Sequence, residues 1–303
     1  MATGITARTS FSEAVPIINH AARSRGEFPF VSHKLTDMQK LGPNEGDKWR
    51  ELLFGQLTAQ SIGAHDVLDS FQDLGGESVI EIEPAYSGIA TKVTNAAYKR
   101  LSSVAVAQIG NRTGDALMRK LNDDTIAVFD TATSTLGTAG NVGTYGLVAA
   151  GVSRVRTGDK STSSTTHEPW TGPIVAVMNS YQVKHIQDEV TAGIGTYTVP
   201  TGMTEDYFKR GITDMTVAGA SIAVDDNIPI DSSSDARGAI FAQGKDGAIV
   251  TVEEEGLKTY SRFDPSYGGG ADEIFTYKSW QHGERGGGIW MFKYVTDSTP
   301  PTS

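Results

Sequence analysis

The chain has no cysteine. That excludes disulfide frameworks, thiolate metal sites and cysteine nucleophiles, and it is compatible with a reducing compartment. Positive charge is also scarce: 26 Lys and Arg face 36 Asp and Glu, for a formal net charge of −10. Binding nucleic acid through a basic face needs clustered Lys and Arg to meet the phosphates, and no such run occurs. No window approaches the ~18 consecutive apolar residues that span a bilayer. The opening stretch MATGITARTSFSEAVPIINHAA lacks the apolar core of a signal peptide. A soluble protein used without secretion is therefore expected.

Catalytic signatures are missing too. There is no phosphate-binding G-x-x-x-x-G-K-[ST], no dinucleotide G-x-G-x-x-G and no nucleophile-elbow G-x-S-x-G. No stretch singles out a carboxylate pair of the glycosidase kind. None of the six histidines has a second histidine at ligand spacing. His185, Asp188 and Glu189 share one helical segment and offer a metal reading, against which a solvated helix face is preferred. Asp225, Asp226, Asp231 and Asp235 suggest oxygen ligands for Ca²⁺, but the spacing is not that of an EF-hand, and a solvated acidic loop is preferred. The expectation is a protein that is not an enzyme and has no catalytic residues, cofactor or metal.

What the chain does have is glycine, 34 of 303 residues, and a modest 38% of apolar residues. Such a composition means many turns and much surface. It suits either a loop-rich monomer or a subunit that buries its surface against copies of itself.

The most informative stretch is 104–133, VAVAQIGNRTGDALMRKLNDDTIAVFDTAT. Val106, Gly110, Thr113, Leu117, Leu121, Asp124 and Val128 recur at steps of three or four, and Ile109, Met118, Ile126 and Phe129 widen that face. One helix is expected, roughly 45 Å long at about 1.5 Å per residue. Gly110 and Gly114 lie one turn apart on one side, each costing up to about 1 kcal/mol of helix propensity, so close packing by another backbone is expected there. The alternative is two helices broken at these glycines.

Around this girder the rest falls into order. Residues 12–22 read as a short helix capped by Ser12, and Gly26, Pro29 and FPFV at 28–31 argue for an extended arm. GPNEG at 42–46 is a turn. Trp49, Leu52, Leu53, Phe54 and Leu57 then supply apolar surface, with strand or helix left open and a projecting hairpin the favoured form. VIEIE at 79–83 alternates as a half-buried strand, Tyr86-Ser87-Gly88 turns, and 89–93 is extended. After the girder come a Gly/Thr loop, a helix over 145–156, a buried strand at 174–178 and a helix capped by Ser180 and running through Val190, with Val183, Ile186 and Val190 inward. Short β-like runs follow at 194–199, 215–217, 220–224, 239–242 and 248–252, suggesting a second α+β lobe. The glycine clusters at 268–270 and 286–288 read as turns. Aromatic, β-prone runs at 257–263, 273–281 and 289–295 close the chain.

This order resembles the major capsid proteins of tailed bacteriophages, of the Hong Kong 97-type α+β fold. The phrases that carry the likeness are YSGIATKVTNAA, TGDALMRKLNDDTIAVFDTA, GPIVAVMNSYQVKHIQDEV, YFKRGITDMTVAGASIAVDDNIPI and ADEIFTYKSWQHGERGGGIWMFKYV. The resemblance implies an N-terminal arm at 1–36 and an extended loop at 37–76. It implies a peripheral domain at 77–189 and 256–303 holding a spine helix at 104–133, and an axial domain at 190–255. Trp49, Leu52, Leu53, Phe54 and Leu57 would then contact neighbouring subunits, and Gly110, Gly114, Leu117 and Leu121 would pack the spine. The implied partners are further copies in pentamers and hexamers, portal and decoration proteins, and packaged double-stranded DNA bound without sequence preference, with no membrane. Nothing long precedes the arm, so a separate scaffold is expected rather than a fused one. The implied location is the virion, assembled in the host cytoplasm. Lys40 and Lys48 lie in the loop that crosslinks some relatives, but no matching Asn or Glu motif accompanies them. Two alternatives stand beside this reading: an encapsulin-like shell enclosing protein cargo, and a monomeric hydrolase with an unrecognised carboxylate site.

Overall fold

Two sheets and a bridging helix divide the molecule. The computed structural model describes residues 31–42, 46–53, 59, 61, 78–94, 103–158, 169–194, 216–267, 269–285 and 289–300. A 3-10 turn at Ser32–Leu35 leads into β1 (Asp37–Lys40), β2 (Trp49–Leu53), β3 (Ser78–Ile82), β4 (Ala85–Thr94) and helix α1 (Ser103–Phe129). Then come β5 (Ser134–Gly137), α2 (Tyr145–Thr157), β6 (Ile174–Met178) and α3 (Ser180–Ile194). The chain closes with β7 (Thr216–Val217), β8 (Ala220–Val224), β9 (Asp235–Ala242), β10 (Ile249–Glu253), β11 (Lys258–Asp264), β12 (Ala271–Glu284) and β13 (Met291–Asp297).

The first sheet runs β5-β13-β9-β6-β8-β7. Its centre is β6, whose five residues IVAVM are all buried, as a continuous apolar run requires when strands flank it on both sides. Helix α2 lays Val148, Val152 and Val155 on this core, and α3 adds Val183 and Ile186. The cap of α3 is Asn179 rather than Ser180: its side chain accepts from the Tyr181 amide at 3.1 Å, while Gln182 reaches back to the Asn179 amide at 3.1 Å.

The second sheet runs β1-β10-β12-β11, with β4 on the other side of β12. The hairpin β2–β3 forms a two-stranded sheet of its own. Helix α1 joins the two cores. Leu117, Met118 and Leu121 pack with Trp280 of β12. Near its end Ile126, Val128 and Phe129 enter the six-stranded core, where the Phe129 ring lies 5.8 Å from that of Phe241.

Several expectations are corrected. The helix passes unbroken through Gly110 and Gly114, so the two-helix alternative fails. It stops at Phe129, and residues 134–137, expected in a loop, form β5 because Leu136 is buried beside β13. Tyr86, Ser87 and Gly88 do not turn; they belong to β4. Residues 37–40, expected in the extended loop, are a body strand parallel to β10. The expected lobe boundaries at 189/190 and 255/256 cut through both sheets, since β8 and β9 pair with β6 and β13, and β10 pairs with β12. Ile194 ends a helix rather than starting a strand. The expected helix at 12–22 and the rest of the run at 195–199 lie outside the described residues.

The acidic loop is solvated only in part: Asp226 and Asp231 are exposed as expected, and the other two aspartates are not. Asp225 is 3% exposed and Asp235 1%. The Asp225 carboxylate accepts from Ser32, from Asn122 of α1 at 2.9 Å, and from the Asn227 amide and side chain at 3.0 and 2.9 Å. Burial pushes this carboxyl up, and those hydrogen bonds outweigh it, holding it below the usual range. Three histidine, aspartate or glutamate side chains do not come together as a metal site anywhere among the described residues. A second polar layer lies under α1: His282 Nδ1 is 2.8 Å from the Thr251 hydroxyl and its Nε2 3.4 Å from that of Thr125, while Thr251 contacts Thr36 at 2.7 Å.

Candidate assembly surface

Strand alternation splits the hairpin β2–β3 into two faces. The register pairs Trp49 with Ile82, Arg50 with Glu81, Glu51 with Ile80 and Leu52 with Val79. Trp49, Ile80 and Ile82 turn toward the body, against Leu41, Val250 and Val252. The opposite face carries Leu52, 51% exposed, beside Val79, 49% exposed, and the Arg50–Glu81 ion pair at 2.9 Å. Of the residues expected to meet neighbours, Leu52 therefore points outward. Trp49 is half-buried in its own subunit, because its face of the strand is the one that meets β10. Leu53 ends β2. Phe54 and Leu57 lie outside the described residues.

A second face went unrecognised in the sequence. Strand β12 buries Ile274, Thr276 and Trp280 on one face, so alternation places Glu273, Phe275 and Tyr277 on the opposite one. The register brings Tyr260 of β11 beside Phe275 and sets Tyr86 of β4 beside Ser279, two residues from Tyr277. Tyr86 is 61% exposed and Tyr260 55%. The rings form a layer: Tyr260 and Tyr277 lie 6.4 Å apart, and Phe275 stacks on Tyr277 at 6.3 Å. A Cβ on Gly88 would lie 2.4 Å from the Tyr277 ring, so glycine is what lets that ring lie flat across β4.

Charge surrounds the layer at one end. Lys92 bonds Asp264 at 2.9 Å and Glu273 at 3.0 Å and sits 3.5 Å from the centre of the Tyr267 ring, while Arg262 pairs with Glu273 at 2.8 Å. The Asp264 and Glu273 hydrogen bonds raise the Lys92 ammonium above its usual range. An exposed aromatic layer with a polar rim is the composition of a protein-binding surface. The signal was present as the alternation of Phe275 and Tyr277 in EIFTYKSW, but a pattern alone does not say which face the helix covers.

The residues expected to pack the spine are buried: Gly110, Gly114, Leu117 and Leu121 lie along one side of α1. Asn122 and Thr125 share that buried side, and the apolar pattern did not mark them.

No family model and no curated protein matches the sequence. Solved structures do match by shape. The capsid of cyanophage P-SCSP1u superposes with a TM-score of 0.62 at 12% identity, over 88% of this chain and 87% of that one. The mature capsid of bacteriophage PhiM1 gives 0.61 at 14% identity, over 90% and 89%. The virus-like particle of Pyrococcus furiosus gives 0.54 at 10% identity, over 94% and 98%. The chain has the α+β fold of these capsid subunits, the Hong Kong 97 type.

Proposed function

We propose that the chain is the major subunit of a phage head, associating in pentamers and hexamers that close an icosahedral shell around double-stranded DNA. The observation that carries this reading is the pairing of a capsid fold over about nine-tenths of the chain with two outward faces that expose aliphatic and aromatic side chains. On this reading α1 with β4, β11 and β12 forms the peripheral domain, and the six-stranded sheet with α2 and α3 forms the axial domain. The hairpin β2–β3 is the root of the extended loop. Neighbouring copies cover Leu52, Val79 and the aromatic layer. Stability then depends on association as well as on each core.

The chemistry is assembly rather than catalysis. The chain's net charge of −10 favours a lining with little affinity for phosphate, leaving packaged DNA free to move. Scaffolding, portal and decoration proteins are the further partners, and the virion is the location. No described helix is long and apolar enough to cross a membrane.

A second reading is a compartment enclosing protein cargo; the match to the Pyrococcus virus-like particle over nearly all of both chains supports a shell of either kind. Electron microscopy of the purified protein, expressed with and without its genomic neighbours, tests both. Closed particles are expected. Nucleic acid inside supports the head, co-purifying enzyme supports the compartment, and a monomer that never assembles under crowding refutes both.

A further inference from the structure

A cleft opens at the end of the six-stranded sheet where β6 begins. The register sets Ile174, the first residue of β6, opposite Ala242, the last of β9, and Met291, the first of β13, opposite Phe241. The turns at that end therefore meet, and they enclose about 480 Å³, within the range of a small-molecule site.

Two tryptophans form the apolar wall. The Trp170 and Trp290 rings lie 5.6 Å apart with their planes 51° from each other. Trp290 is 9% exposed and belongs to the core, while Trp170 is half-buried. Trp170 is held in place: its Nε1 donates to the Pro173 carbonyl at 2.9 Å. A Cβ on Gly172 would come within 2.8 Å of that ring, so glycine lets the indole lie on its own turn. The wall is set before any ligand arrives, which cuts the ordering cost of binding.

The polar lining comes from Thr171, Gln243 and Lys245. Lys245 is exposed, and among the described residues neither its ammonium nor the Gln243 side-chain amide has a hydrogen-bond or ion-pair partner. No carboxylate is among the lining residues described. The cleft thus offers an uncommitted cation, an uncommitted amide and a fixed aromatic wall.

Those features select a ligand. A cation with no carboxylate beside it calls for an anionic group. Two indoles meeting at an angle leave a corner, which the puckered ring of a sugar fills with its C–H face against an indole; stacked bases use flat, open faces. The net charge of −10 opposes a nucleic acid, which carries a charge on every nucleotide, more than a sugar chain with one carboxylate per ring or fewer. An amide both donates and accepts, as ring hydroxyls require.

We infer that this cleft binds a carboxylated sugar unit, with Trp170 as its stacking wall, Lys245 as its counter-ion and Gln243 as the partner of its hydroxyls. An acidic polysaccharide is the polymer that presents such units. The inference does not rest on the shell reading.

Titration of the unassembled full chain with a hyaluronan tetrasaccharide, in which every second ring is a glucuronate, tests it by tryptophan fluorescence and saturation-transfer NMR. Saturable binding is expected. Lys245→Met should weaken it about tenfold, the loss of one charge-assisted contact, and leave affinity for a neutral chitin tetrasaccharide within about twofold. Trp170→Ala should abolish saturable binding of both sugars. Should that variant not melt cooperatively, Lys245→Met, at an exposed position, still decides. No saturable binding by wild type, tighter binding of thymidine 5′-monophosphate than of the hyaluronan fragment, or equal losses for charged and neutral sugars in Lys245→Met overturns the assignment.

Discussion

Acidification from pH 7 toward 4 should destabilise the subunit through His282. The imidazole is 8% exposed, wedged between Thr251 of β10 and Thr125 of α1. Burial pushes it from 6.5 down to about 4; Asp124 of α1 opposes the shift, while His33 of the 3-10 turn and Lys278 of its own strand add to it. The folded protein therefore holds a neutral ring where the unfolded chain takes up a proton. That contribution is fully present above pH 6.5 and declines as pH falls to about 4. A shift of about 2.5 units corresponds to roughly 3 kcal/mol, of which about 2.5 kcal/mol is lost by pH 4.5. Urea unfolding of unassembled subunits at pH 7, 6, 5 and 4.5, for wild type and His282→Gln, gives the test. The variant starts less stable, having lost a fitted contact, but its profile should be flatter by that amount. Because other carboxyls titrate equally in both proteins, the difference between profiles isolates the ring. Parallel profiles would refute the argument.

Leu121→Ala removes a side chain 1% exposed beside Trp280 and should cost about 2–5 kcal/mol, read as a lower urea midpoint. Gly114→Leu forces a side chain into the buried side of α1 and should cost about 1–3 kcal/mol; an unchanged melting temperature would place that side in water. Tyr86→Ser with Tyr260→Ser should leave subunit melting unchanged while sharply lowering particle yield by light scattering, and normal assembly would remove the aromatic layer from the interface.

How much was legible in advance differs by element. Helix α1, helix α2 and strand β6 announce themselves because their patterns are local: a 3.6-residue period or an unbroken apolar run leaves few alternatives. The hairpin's outward Leu52 was legible as surplus apolar surface. Trp49 was not legible as a body contact, since only the docking of β2 against β10 decides which face of the strand turns inward.

Sequence alone determined the girder and its glycine-bearing face, because both depend on residues within a few turns of one another. Tertiary structure decided the rest. It buried Asp225 by surrounding it with donors from Ser32, Asn122 and Asn227, three segments far apart in the chain. It carried β5 and β13 into one sheet with β8 and β9, crossing the boundaries that the resemblance implied. It gathered Asp37, Glu51 and Arg285 around one buried charge. A carboxylate in water and one held by distant donors look identical in a sequence; the chain path that brings the donors determines which it is.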